Sequence, residues 1–381
     1  MKLGLSVSIA AWVVASGVCV AASGQVRAPS PSTPDRAQPA PKDRLEAPPE
    51  RARPEVTPAP RAASPDVDLR PRFKLGADRR LRIDTRSITT TRGGIDVDSI
   101  LNPGGAKKGA EPEDTSSATQ EWVLIFRPKE LLEGGGAKVE VEFESIKAKI
   151  ENSMGVDEFD STKPAKKPAA QPDPLARLSG IGMLEGMLRP LVGETMRVTF
   201  DRDGQVVSVE GGERFAAVFE GAAGGIGLPG GAGAAGGGGA AGGGGGAGGG
   251  GGGARSLIGR ILSPAPGKTS ARVGESWTTR DTFDLSLAGR LKLTSTTKVR
   301  EARGGVAKLD LDGTIEPDSP GAGGGLVSIK GGTHKGGAEW DLEDGFIRAM
   351  NLAQTLEAET EIAGMKSSST SVQTTTVTRV R

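Results

Sequence analysis

Cysteine, tyrosine and histidine are nearly missing from this sequence: one Cys, no Tyr and one His stand among 381 residues, and aromatic side chains make up 3%. The one thiol, Cys19, lies in an N-terminal apolar run, so removal of that run leaves no disulfide to form and no thiol nucleophile. A single histidine, His334, excludes multi-histidine metal centres and leaves one partner for a serine nucleophile. Its neighbours Gly331, Gly332, Thr333, Lys335, Gly336 and Gly337 read as an exposed turn that carries the imidazole on the surface. With so few aromatic faces, stacking platforms for sugars or single-stranded nucleic acid are hard to assemble. The 48 basic and 47 acidic residues are mixed along the chain, so no basic stripe follows a phosphate backbone, and nucleic acid is not an expected partner.

What is present first is an export signal. Lys2 precedes an apolar run over residues 3–22 that is broken by Gly4, Ser6, Ser8, Ser16 and Gly17, which suits a cleaved signal peptide better than a permanent span. Ala21, Ala22, Ser23 and Gly24 offer cleavage after Ala22 or Gly24; the second gives a signal over 1–24 and a mature chain from Gln25 with no transmembrane span. Cys19 could instead be a lipidated first residue, but Val18 and Ser16 fit that recognition site poorly and a small apolar residue within the run is the simpler reading. The expected location is the periplasm, the cell surface or the medium.

Beyond the signal, composition divides the chain. Residues 25–68 are rich in proline among Ala, Arg, Asp and Glu and have almost nothing to bury, so they read as an extended tether. Residues 102–117 and 161–173 read as long polar loops, and 221–253, nearly pure Gly and Ala, as a disordered linker. The glycine tract contains chance matches to a dinucleotide fingerprint, but no strand leads into it. Gly267-Lys268-Thr269 likewise imitates a phosphate loop, yet Leu262 stands where its first glycine belongs. No cofactor is implied.

The two stretches left, 69–220 and 254–381, are dominated by period-two patterns. Phe283, Leu285, Leu287, Gly289, Leu291 and Leu293 alternate with polar residues, as do Val139, Val141 and Phe143, and Leu309 and Leu311. The Thr- and Val-rich, charge-poor end, 367–380, predicts a last strand at or near a sheet edge, guarded by Arg379 and Arg381. A weak duplication relates 74–78 to 272–277, 136–142 to 306–312, and the turn after Phe200 to the turn after Trp340. In that last pair an aromatic is followed by an acidic turn, a glycine able to take positive φ and a new strand, so Asp201, Asp203, Asp341 and Asp344 read as turn formers rather than calcium ligands. Short helices are expected from Asp173 to about Leu191, over 213–220 and over 254–262; Gly180, Gly182 and Gly186 make the first dependent on docking. Met183, Met187 and Met196 cluster there, as core filler or as the lining of an adaptable cavity. The fold class expected is mainly β, a β-rich α+β arrangement: two pseudo-repeated antiparallel β-meander halves making a curved sheet or half-barrel under a few short helices, with long disordered segments.

Taken in order, Phe73-Lys74-Leu75-Gly76, Phe159-Asp160-Ser161, Leu191-Val192-Gly193, Asp203-Gly204-Gln205-Val206, Val273-Gly274-Glu275-Ser276-Trp277 and the Trp340-Asp341 to Gly345 turn resemble an uncharacterised family of exported bacterial proteins, a domain of unknown function. The resemblance covers 69–381 and implies an architecture without a mechanism; a looser likeness of fold is to lipoprotein-localisation-factor-like half-barrels. The function expected is that of a non-catalytic exported module that binds a hydrophobic ligand, a lipid, or another envelope protein. The alternatives are a structural component of the envelope that uses its final strand for strand addition, and a hydrolase built on paired carboxylates. No catalytic, cofactor-binding or metal-ligating residue is nominated.

Overall fold

The computed structural model describes residues 66–93, 113–152, 155–165, 183–212, 214, 268–284, 290–319, 327–362 and 365–380. The signal peptide, the tether up to residue 65, most of both polar loops, the glycine linker, and the helices expected at 213–220 and 254–262 (apart from Arg214) lie outside them. The first loop is shorter than expected, since residues 113–117 already belong to a strand.

Fourteen strands are described. They are β1 (Asp66–Asp68), β2 (Arg79–Gly93), β3 (Glu113–Leu131), β4 (Ala137–Asn152), β5 (Gly155–Asp160), β6 (Thr195–Phe200), β7 (Val206–Gly211), β8 (Ser270–Arg272), β9 (Ser276–Asp284), β10 (Arg290–Arg303), β11 (Val306–Ser319), β12 (Val327–Asp341), β13 (Phe346–Ile362) and β14 (Met365–Val380). Alternation does what it predicts in β4, where Val139, Val141 and Phe143 are buried between polar neighbours. The run over 283–293 is a different case. Asp284 pairs with Arg290 and Phe283 with Leu291, so the pattern belongs to the two arms of a hairpin rather than to one strand. Pro128 and Pro317 sit where the register shifts, positions at which a missing N–H is tolerated.

The long strands form one antiparallel sheet in the order β7-β6-β4-β3-β2-β14-β13-β12-β11-β10-β9, with β5 on the outer half of β4, and the sheet does not close into a barrel. Here the expectation of an edge at the end of the chain is corrected. β14 pairs along its length with β13 on one side and β2 on the other, so it is the central strand that joins the two halves. Its lack of charge, read as an edge signature, instead reflects a strand covered on both flanks.

Equivalent parts of the duplication occupy equivalent places. The turns before β2 and β9 close with the same contact, Ala77 N–H to the Lys74 carbonyl at 3.2 Å and Glu275 N–H to the Arg272 carbonyl at 3.0 Å. In the acidic turns, Asp201 Oδ1 accepts from the N–H groups of Asp203 and Gln205, and Asp341 Oδ1 from those of Glu343 and Asp344. Gly204 and Gly345 follow with φ of 78° and 55°, and both accept a strap, residues 66–72, against their bare Cα. A Cβ on Gly204 would stand 2.3 Å from Pro71, and one on Gly345 2.5 Å from the backbone nitrogen of Arg72. The strap continues to the other end of the strand order, where β1 pairs with β8 and Leu69 N–H donates to the Thr269 carbonyl at 2.8 Å. The sheet is therefore curled, with one segment touching turns from both halves.

Val67, Leu69 and Ala271 of this strap sheet are buried in a core shared with Leu81, Phe126, Phe143, Val198, Phe200, Leu309, Trp340, Phe346 and Val377. This core fills the end of the curl where the hairpin turns lie. One short helix, α1 (Met183–Leu188), runs into a 3-10 turn, Arg189–Leu191, and buries Leu184, Leu188 and Leu191 beside β5. Asp157 accepts the Leu184 N–H, and the Arg189 guanidinium lies over the Phe159 ring. Residues 173–182 of the expected helix lie outside the described part. Met196 is fully buried in the core and Met187 packs against it, so these two are filler; the Met183 side chain is not described. Among the described residues no helix is long and apolar enough to cross a membrane.

Candidate functional site

The inward face of the sheet changes character along its length. On β2 the inward residues Leu81 and Ile83 belong to the core, whereas Ser87, Thr89 and Thr91 further along the same face are polar and still buried. β14 does the same, passing from Val377 to Thr375, Gln373, Ser371 and Ser369. Because side chains alternate, these residues cannot turn outward without moving the apolar set with them.

One transverse row shows how the polar belt is built. Ser295 of β10 pairs with Gly313 of β11, Gly313 with His334 of β12, His334 with Gln354 of β13, Gln354 with Gln373 of β14, and Gln373 with Ser87 of β2. His334 is 4% exposed, Gln354 3%, Gln373 2% and Ser87 1%. The reading of His334 as a surface residue in a glycine turn is thus overturned: residues 331–337 are strand, and the imidazole points inward with Ala338 and Trp340. Gly313 makes its place. The His334 ring lies across the bare Cα of Gly313 and its Nε2 meets Ser295 Oγ at 3.0 Å, two strands away. The glycines around His334 suggested a turn, although the period of two through residues 334, 336, 338 and 340 was the signal that could have placed it in a strand.

A serine and a histidine in contact invite a nucleophilic reading, and the geometry argues against it. Ser295 lies in the middle of a strand paired on both sides, so the neighbouring backbone N–H groups are spent on the sheet ladder. Among the described residues no free pair of amide donors stands beside the hydroxyl to receive an oxyanion, as acyl transfer requires. The contact is a structural hydrogen bond between neighbours on one face.

On either side of this row the belt has two flanks. Over β10 to β13 it is apolar: Leu291, Leu293, Ile315, Ile329, Leu352 and Leu356 are buried yet separate from the main core. Over β14 and β2 it is neutral and polar, with Ser371 accepting a hydrogen bond from Thr89 at 3.2 Å; on β3 Ser116 lies next to Thr89 in register and the acidic Asp114 next to Thr91. Among the described residues Gln373 Oε1, Thr375 Oγ1 and Thr91 Oγ1 are buried there without a hydrogen-bond partner, an arrangement that costs about 1–3 kcal/mol for each group.

The outer surface is charged and self-paired. A hollow of about 750 Å³ at the turn end holds Arg79, Arg80, Arg127, Arg348 and Arg379. Arg379 pairs with Asp344 at 2.6 Å, Arg348 with Asp341 at 3.3 Å, Arg80 with Glu144 at 2.5 Å, and Arg127 with Glu142. The hydrogen bond from Arg379 holds the Asp344 carboxyl below the usual aspartate range, and Arg79, buried, donates to the Arg72 and Asp344 carbonyls. Burial pushes the Arg79 guanidinium below its ordinary value. A groove of about 960 Å³ beside β5 and α1 is lined by mixed charge, with Lys147 on Glu121 and Arg189 on Glu185. Among the described residues the two buried acids stand on different strands, Asp157 on β5, which pairs with β4 off the main strand order, and Asp281 on β9. Among the described residues no three Asp, Glu, His or Cys side chains are grouped to hold a metal ion.

No family model and no curated protein matches the chain. A solved structure, that of Pseudomonas aeruginosa OccK7 (OpdD), aligns with 80% of this chain and 100% of its own at 9% identity and a TM-score of 0.16, a likeness that carries no argument.

Proposed function

We propose that the protein is an exported, non-catalytic module that holds a ligand with an apolar body on the inward face of its curled sheet. One observation carries this reading: beyond the filled core, the same buried face presents six aliphatic side chains beside a neutral polar belt, the lining expected of a site that takes a hydrophobic molecule and orients it with a few polar contacts. The N-terminal apolar run with its small-residue end, and a chain free of cysteine after it, support export. The test is native mass spectrometry of mature protein from the periplasm or medium, with organic extraction of what co-purifies. A stoichiometric apolar molecule is expected, and Leu293→Gln should reduce its occupancy. An empty monomer that also refuses offered lipid removes the reading.

A second reading, an assembly component of the envelope, is favoured by the edges of the sheet. The final strand cannot serve for strand addition, because both of its sides are paired. Among the described residues β9 and β7 are paired on one side alone, and β9 offers nine residues of unpaired edge. Association that rises with protein concentration, needs no lipid and is lost on placing a proline in β9 would favour it.

A further inference from the structure

We infer that the polar part of the ligand is an uncharged hydrogen-bond donor, a hydroxyl or an amide, and that a carboxylate or phosphate head is selected against. This rests on the binding reading above and specifies which amphiphile the same face takes. The polar flank is made of Ser87, Thr89, Ser371, Gln373 and Thr375, with Gln354 beside them, and all six are neutral. Among the described residues no Lys or Arg occupies an inward position in these rows. The inward cation on β2, Arg79, is eight residues from Ser87, about 27 Å along a strand, and is already engaged with two carbonyl oxygens. Two acidic residues, Asp114 opposite Thr91 and Asp281 opposite Leu293, also take inward positions.

The orphaned atoms give the sign independently. Gln373 Oε1 can only accept a hydrogen bond, and it is buried, on the belt, without a donor among the described residues. Thr375 Oγ1 and Thr91 Oγ1 stand unpaired on the same face. A hydroxyl or an amide N–H supplies the donor that Gln373 Oε1 lacks, which an ionised carboxylate or phosphate cannot, while the Thr91 and Thr375 hydroxyls can donate as well as accept and so suit a neutral hydroxyl or amide. Bringing an anion into this face would also remove its hydration with no cation to replace it.

The experiment uses three probes that share a palmitoyl chain: monopalmitoylglycerol, palmitate and lysophosphatidate. Each is offered to the delipidated mature protein and measured by native mass spectrometry and by displacement of a fluorescent acyl probe. Monopalmitoylglycerol should bind at least about tenfold more tightly than either anion, the size of one well-made buried hydrogen bond. Gln373→Leu should erase most of that preference, with Thr91→Val as the second variant should the first not fold. Palmitate or lysophosphatidate binding as tightly as the glycerol ester overturns the inference and leaves the binding reading standing. Failure of all three to bind overturns the binding reading itself.

Discussion

Gly313 shows how much one absent side chain can decide. It has an ordinary extended backbone, so its value is space: a Cβ there would lie 2.0 Å from the Thr294 carbonyl oxygen and 2.3 Å from the His334 ring. Gly313→Ala should therefore displace the imidazole, break its contact with Ser295 and cost about 2 kcal/mol, the range of overpacking in a filled interior. Urea unfolding measures it, and a loss below a few tenths would mean that the ring rests elsewhere. His334 itself marks a boundary of what residue types reveal. Glycines flanking a polar residue are turn signals in most sequences, but in this one Gly332 and Gly336 are inward positions left bare where the backbone of β13 comes close, a Cβ on them meeting the carbonyl oxygens of Thr355 at 2.3 Å and Asn351 at 2.0 Å. Type and spacing gave a turn; only the neighbouring strands explain a ladder of glycines.

At the level of elements, the placing of β14 tests the fold most directly. An edge strand tolerates proline on its free side, whereas a strand paired on both sides has no N–H to spare. Thr374→Pro should thus cost about 3 kcal/mol or more and prevent accumulation of folded protein; a well-folded variant with a small loss would return β14 to an edge. The end of the same strand is fastened by Arg379 to Asp344 in the β12–β13 turn. Since the hydrogen bond from Arg379 lowers the folded pKa of Asp344 from its ordinary 3.8, the stability it gives is present above that value and is lost as pH falls through the depressed one. Both side chains are partly exposed, so Asp344→Asn should cost about 0.5–1 kcal/mol at pH 7, and the difference from the parent should fade below about pH 4. A gap that stayed constant down to pH 2 would assign the loss to something other than this charge.

Elements and their order were not equally legible. The strands β4 and β11 and the two acidic turns could be read directly, because alternation and turn chemistry are local and Asp201 and Asp341 do the same work in each half. The seat of β14 could not, because it depends on partners far away in the chain, such as Arg80 opposite Val380, 300 residues apart. The polar belt was hidden for a related reason. Ser87, Gln373 and Ser371 have the composition of a wet face, and only the register that aligns them with Leu81, Ile83 and Val377 makes them inward.

For the molecule as a whole, the question is whether a duplicated chain unfolds in two parts or one. Separate halves would need separate cores, and the observed core takes side chains from both: Trp122 and Phe143 from one, Trp340 and Phe346 from the other, with Leu69 of the strap among them. Pro71 seated on Gly204 and Arg72 on Gly345 make the strap depend on both acidic turns at once. β14 adds a further tie, because it completes the sheet between β13 and β2, and neither half keeps a paired flank there without it. Tryptophan offers a clean report, since beyond residue 24 the chain carries Trp122 in the first half and Trp277 and Trp340 in the second. Variants that keep Trp122 or Trp340 as the single tryptophan, the others replaced by Phe, should each unfold in urea in one transition, with the same midpoint as far-UV circular dichroism of the same variant. Trp340 faces a filled core, so replacing it will lower overall stability; the comparison of probes within each variant is unaffected by that shift. Should the two tryptophans lose their native signal at different urea concentrations relative to circular dichroism, the halves are separate folding units and the strap and β14 are no more than contacts between them.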